Sequence, residues 1–165
     1  MNILNTNKTF FINLIIILSI FVLDRLSKLY IIYLDKINNG SEIFQSKFLN
    51  IYLIWNEGIA FGLFSLDDKH LYNILTLIIL IVIIIILYLV PKNKGFKRYS
   101  LIFILGGAIG NLFDRIFYKA VPDFIDFHIG NFHWFIFNVS DIFITFGVIS
   151  MIFQELIANN RKTHE

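Results

Sequence analysis

The sequence predicts an all-α membrane protein: four transmembrane helices carrying a small extracytoplasmic β-sheet or cradle and a short surface helix. Two observations lead there. Apolar residues make up 57% of the 165-residue chain, more than the polar surface of a soluble domain this size could cover. They also fall into runs close to the roughly 20 residues that a helix needs to cross a bilayer. A third observation, an aromatic stretch between the first two runs, predicts the sheet.

The first span covers about residues 10–33 and is apolar until Asp24, Arg25 and Lys28 interrupt its second half. With no small-residue cleavage site after the apolar run, it reads as a retained span and not as a leader. The second, about residues 71–90, has no charged residue, and Pro91 closes it because proline lacks the N–H to continue a helix. The third, about residues 99–117, contains the glycine-rich LGGAIGNLFDR, and the fourth covers about residues 134–157. Together they read as a single integral domain, residues 1–165. No internal repeat is evident, which weakens an inverted-repeat transporter reading.

Basic residues in short loops set the orientation. Lys92, Lys94, Lys97 and Arg98 crowd the second connection, whereas Lys36, Lys47 and Lys69 in the first are matched by Asp35, Glu42, Glu57, Asp67 and Asp68. Both termini and the second connection are therefore expected on the cytoplasmic side, with residues 34–70 and 118–133 outside. Within the first outer connection, FLNIYLIWNEGIAFGLF is rich in β-favouring residues between turn-forming NNGS and SLDD. A cradle over about residues 34–66 follows, its aromatic residues suited to the outer leaflet.

Ionisable groups inside spans cost roughly 2.5–3.5 kcal/mol at the bilayer centre and so ask for a reason. Asp24 and Lys28 stand at i,i+4, the spacing of an ion pair on one helix face. Arg25 is expected to snorkel to the surface. Asn56 and Gly58 sit in a turn of the outer connection, where a substrate-contacting hairpin is the sharper reading and an ordinary turn the plainer one. Gly106, Gly107 and Gly110 predict close helix packing. Asn111 and Arg115 are one turn apart, and Arg115 beside Asp114 fits either a buried structural pair or a hold on a polar substrate.

Asp123 follows the third span, and Asn138 and Asp141 open the fourth. Singly, Asp141 reads as a helix cap and Asp123 as a loop acid. As a pair brought to similar depth by antiparallel helices, they match the two-carboxylate arrangement of an aspartic protease. Like charges in one site do not both ionise cheaply, so one acid keeps a proton while the other serves as base. Other chemistries lack their parts. There is no cysteine, the histidines at 70, 128, 133 and 164 have no zinc-motif spacing, and no nucleophile elbow or P-loop occurs. No metal or cofactor is therefore expected. A net charge of +2, dispersed along the chain, argues against nucleic acid. A proton-coupled transporter and a non-catalytic assembly protein remain as rivals. The first would spread acids through the membrane depth; the second would tolerate loss of either acid.

Five blocks, LDRLSK, NEGIAFG, GGAIGNLFDR, VPDFIDF and FNVSD, occur in that order across four spans. In this the chain resembles bacterial lipoprotein signal peptidases (signal peptidase II) over nearly its whole length. The resemblance implies an inner-membrane aspartic endopeptidase that cuts prolipoproteins just before the diacylglyceryl-modified cysteine, near the outer face. It implies Asp123 and Asp141 as the catalytic pair, with Asp24, Lys28, Asn56, Gly58, Asn111, Arg115 and Asn138 supporting the site or holding substrate. It also implies inhibition by globomycin-type cyclic peptides; membrane lipids are expected as partners, and a monomer is expected, though the sequence itself does not set the oligomeric state. The chain departs from the family pattern at Ser140, where alanine is usual, at Pro122, where an aliphatic residue is common, and at Ile59, where a small residue is common. These changes are expected to tune the site, with the Ser140 hydroxyl bonding locally near Asp141.

Overall fold

The computed structural model describes residues 3–58 and 69–162. In chain order these form α1 (Ile3–Ile37), β1 (Phe44–Gln45), β2 (Leu49–Asn56), α2 (Lys69–Leu89), α3 (Gly95–Phe117), β3 (Val121–Ile129), β4 (Phe132–Phe137) and α4 (Val139–Lys162). A single 3-10 turn, Val90–Lys92, follows α2 where Pro91 falls. Among the described residues, four helices are long and apolar enough to cross a membrane.

Helix α3 is the hub, packing against each of the other three helices. Its inward face is apolar toward the middle: Leu101, Ile102 and Leu105 join Ile83, Ile86 and Val90 from α2 and its turn in one buried cluster. The outward faces are apolar too. Leu77, Ile81, Ile84 and Leu87 on α2, and Ile149, Ile152 and Phe153 on α4, are exposed, the pattern of helices whose solvent is lipid.

The glycines of α3 let the helices close up. A Cβ on Gly106 would overlap Ile20 of α1, one on Gly107 would overlap the Ser140 backbone carbonyl and Ile144, and one on Gly110 would overlap the Ser140 hydroxyl and Asp24. The small-residue stripe thus seats α1 and the start of α4 on α3.

At one end of the bundle lies a four-stranded antiparallel sheet in the order β1-β2-β3-β4. This sheet is larger than the sequence suggests, because residues 118–137 contribute half of it. Residues 134–137 were expected to begin the fourth span, yet they lie in β4, and α4 starts at Val139. The run FHWFIF is apolar throughout, and a short apolar run does not distinguish strand from helix. Pairing with β3 decides it, through a two-residue link in which Gly130 has φ +59°, the glycine that a type II′ hairpin wants at its first central position. The first span is also longer than expected, because α1 continues into polar residues at both ends. The expected short surface helix near residues 60–70, and Ile59, fall mostly or wholly outside the described residues.

Candidate active site

The N-terminus of α4 is built around Asn138. Its side-chain Oδ1 accepts the Asp141 backbone N–H at 3.2 Å, while Asp141 Oδ2 accepts the Asn138 backbone N–H at 3.1 Å. This reciprocal pair is a capping box with Asp in the place usually taken by Glu or Gln. Asp24 of α1 adds a third acceptor, taking the Ser140 backbone N–H at 3.1 Å. Three of the helix's otherwise orphaned amide or flanking donors are satisfied this way. Reading Asp141 as a helix cap is therefore correct, and it leaves Asp141 Oδ1 for another partner. The Asn111 amide donates to that oxygen at 2.8 Å.

Asp123 arrives from the sheet. In the β2–β3 register Ile54 pairs with Asp123 and Asn56 with Val121, which puts the Asn56 amide beside the carboxylate. Asn56 Nδ2 donates to Asp123 Oδ2 at 2.8 Å, and Asn138 Nδ2 donates to Oδ1 at 2.6 Å. Asn138 thus touches both acids. Asp123 is 4% exposed. Burial pushes its carboxyl up from the usual 3.8 to about 6, and the neighbouring Asp141 charge pushes the same way, against the amides of Asn56 and Asn138. The two acids share the wall of a cavity of about 290 Å³, together with Asn56, Asn111, Arg115 and Asn138. A second hollow of about 710 Å³ is almost wholly apolar, lined by residues such as Phe127, Trp134, Phe137, Phe146 and Ile149, and it also reaches Asp141.

Behind the acids lies a sealed charge network. Lys28 and Asp24 are both fully buried and form the expected i,i+4 pair at 2.9 Å. Lys28 Nζ also donates to Asn111 Oδ1 at 2.9 Å and contacts Asp114 at 2.6 Å. It therefore looks across to α3 and not toward the surface. By occupying Oδ1 of Asn111, Lys28 leaves the amide nitrogen to face Asp141. Arg25 overturns the snorkelling expectation: it bridges Asp24 at 3.0 Å and Asp114 at 2.6 Å and lies over the Phe113 ring. Asp114 needs two cations because it is fully buried, and snorkelling would leave it one.

Arg115 does not pair with Asp114. It donates to the carbonyls of Asn111 at 3.3 Å and Gly58 at 3.5 Å. Among the described residues it has no carboxylate within ion-pair distance, although it lines the cavity. Gly58 keeps its turn by donating its N–H to Asn56 Oδ1 at 3.0 Å. The Ser140 hydroxyl is buried against Gly110 without a hydrogen-bond partner among the described residues, so the expected local bond near Asp141 is not made. Of the site residues expected from the sequence, Asn56, Asn111, Arg115, Asp123, Asn138 and Asp141 line the cavity, whereas Asp24, Lys28 and Gly58 do not and act through Ser140, Asn111 and Arg115 behind it.

Sequence reading missed the roles of Arg25 and Asp114, and missed that Asp126, His128 and His133 meet on the β3–β4 hairpin. Adjacent opposite charges within a span were the available signal for the first two. The third depends on strand pairing.

Fold and cavity together define a polytopic membrane protein with a pair of acids facing a pocket at one end of its bundle. The family model for signal peptidase (SPase) II matches residues 16–157. A lipoprotein signal peptidase of Pelagibacter ubique (strain HTCC1062) is 52% identical over 158 residues, covering 96% of this chain and 95% of that one. One of Anaplasma phagocytophilum (strain HZ) is 42% identical, covering 88% and 92%. A bacterial membrane enzyme solved by the in meso method superposes with a TM-score of 0.73 at 29% identity, covering 91% of this chain and 90% of that one. The chain belongs to the signal peptidase II family and is a multi-pass membrane peptidase.

Proposed function

We propose that this peptidase removes signal peptides from diacylglyceryl-modified prolipoproteins by cutting just before the lipidated cysteine, with Asp123 and Asp141 as the catalytic pair. The observation that carries the reading is the clasp of Asn138 on both acids. It holds two carboxylates from different elements against one cavity, with one of them raised toward neutrality.

In this mechanism the pair shares one proton. The ionised acid takes a proton from water as its oxygen attacks the scissile carbonyl, while the protonated acid donates to the carbonyl oxygen. Collapse of the tetrahedral intermediate returns a proton to the leaving amide nitrogen, and the cysteine's amino group departs. Asn56, Asn111 and Asn138 hold the carboxylates by amide donation. Lys28 fixes the Asn111 amide, and Asp24 secures the start of α4. Arg115, which lines the cavity, holds backbone carbonyls of the substrate.

Substrate lipid accounts for the second hollow. Its aromatic and aliphatic walls suit acyl chains or an apolar signal segment, and it ends at Asp141. The acids sit at helix mouths because an acyl-anchored cleavage point comes no deeper. We place the sheet and the site on the outer side of the bacterial cytoplasmic membrane and both termini inside. A cyclic peptide of the globomycin type would compete at the cavity, and the chain works as a monomer.

The charge distribution disfavours a proton relay. Asp, Glu, Lys and Arg are absent from residues 10–23, 70–91, 99–113 and 142–154, so ionisable groups stop near the sheet end and do not cross. The test is to incubate the purified protein with a diacylglyceryl-modified prolipoprotein and with its unmodified precursor, and to read the products by mass spectrometry. The expected product begins at the lipidated cysteine and forms only from the modified substrate. Equal cleavage of both substrates, or cleavage elsewhere, contradicts the reading.

A further inference from the structure

A cluster on the β3–β4 hairpin takes no part in the catalytic pair, although His128 also lines the apolar hollow. Asp126 and His128 lie two apart on β3, and so on one face, and His133 of β4 stands opposite His128 in the hairpin register. One donor atom from each of the three lies within 4.8 Å of the others. None of the three lines the cavity that holds Asp123 and Asp141.

We propose that Asp126, His128 and His133 form a binding site for a divalent first-row transition-metal ion, specifically Zn2+. Two imidazoles and a carboxylate are a donor set that such ions favour, whereas Ca2+ and Mg2+ favour oxygen alone. The two rings stack with centroids 5.0 Å apart, which brings their ring nitrogens together over one face of the hairpin. An ion pair explains part of the arrangement, since His133 Nδ1 lies 2.9 Å from Asp126 Oδ2. It leaves His128 unexplained. The Nδ1 of His128 is closed off from solvent and meets no hydrogen-bond partner among the described residues.

Drawing the donors around an ion at about 2.0–2.2 Å needs them roughly 3.3 Å apart. His133 is half exposed and has room to make that movement. Tyr52 of β2 stands 3.5 Å from Asp126 Oδ2 and would orient the carboxylate from outside the ligand set. Three protein ligands leave a fourth position for water. The bound ion would staple β3 to β4 on the strand that carries Asp123. The residues escape a search for zinc-motif spacing because the histidines meet across a hairpin, so their separation along the chain follows the turn.

The test uses untagged, chelator-stripped protein titrated with Zn2+ against a chromophoric chelator, alongside unfolding temperatures with and without Zn2+. Wild type is expected to bind one ion per chain and to gain thermal stability. His128→Ala and His133→Ala are expected to bind at least about 10-fold more weakly and to lose that gain, and His70→Ala to behave as wild type. Because His133 is half exposed, its variant carries the test if His128→Ala does not fold. Wild type binding no tighter than the two variants, or loss of binding on His70→Ala, overturns the proposal.

Discussion

Asn138 ties together the stability of α4 and the poise of the acids. Its carbonyl oxygen caps the helix while its amide nitrogen and backbone N–H reach Asp123 and Asp141. Asn138→Ala is expected to cost about 1–2 kcal/mol as a lost cap, and to lower turnover well beyond what that destabilisation explains. Thermal unfolding and single-turnover cleavage, measured on the same preparation, separate the two effects. Asp123 makes a prediction about pH. Its folded value of about 6 lies above the ordinary 3.8, so the folded state holds the proton more tightly than the unfolded one. The stability this contributes is fully present below about pH 4 and is lost as pH rises through 6. At about 1.4 kcal/mol per pKa unit the loss amounts to about 3 kcal/mol. Unfolding free energies from pH 4 to 7 should therefore decline more steeply for wild type than for Asp123→Asn. Parallel curves would contradict the raised value.

Among the elements, the junction of α3 with α4 carries the tightest constraint. A Cβ at Gly107 meets the Ser140 backbone carbonyl, which has nowhere to go without moving Asp141, whereas at Gly106 it meets the side chain of Ile20. Alanine gains about 1 kcal/mol in helix propensity over glycine, but overpacking of this kind costs about 1–3 kcal/mol. Gly107→Ala is thus expected to lower both the unfolding temperature and activity, and Gly106→Ala to do so less. Equal effects would mean that the backbone contact is not limiting. The helices and their glycines were legible because period, length and small-residue spacing are local signals. The β3–β4 hairpin was half legible. The Gly130–Asn131 step between aromatic runs is a hairpin signal, but apolar residues on both strand faces hide the period-2 alternation and make 134–137 resemble the start of a span. Asp123 was read as a loop acid when taken singly, since the stretch of β3 that carries it is paired with β2 alone, far away in sequence.

On the scale of the whole molecule, the proposed orientation rests on the loop charges, and the proposed face of the chemistry on the pair of acids. The five sequence blocks marked the residues that converge, but not the network behind them. Arg25 turns inward because Asp114 is buried on a different helix, a fact no window of sequence contains. With no native cysteine in the chain, topology is directly measurable. A membrane-impermeant thiol reagent applied to intact spheroplasts is expected to label Gly130→Cys and to spare Lys94→Cys. The reverse pattern would put the sheet in the cytoplasm. The central claim is that Asp123 and Asp141 act as one catalytic pair. It is tested most directly by cleavage rates of a diacylglyceryl-modified prolipoprotein by wild type, Asp123→Asn, Asp141→Asn and the double variant, each checked for native helix content and unfolding temperature. Because groups that act as a unit lose function together, each single variant should fall by at least about 10³-fold, and the double variant little further. A folded single variant that cleaves at a rate near wild type would contradict the pair.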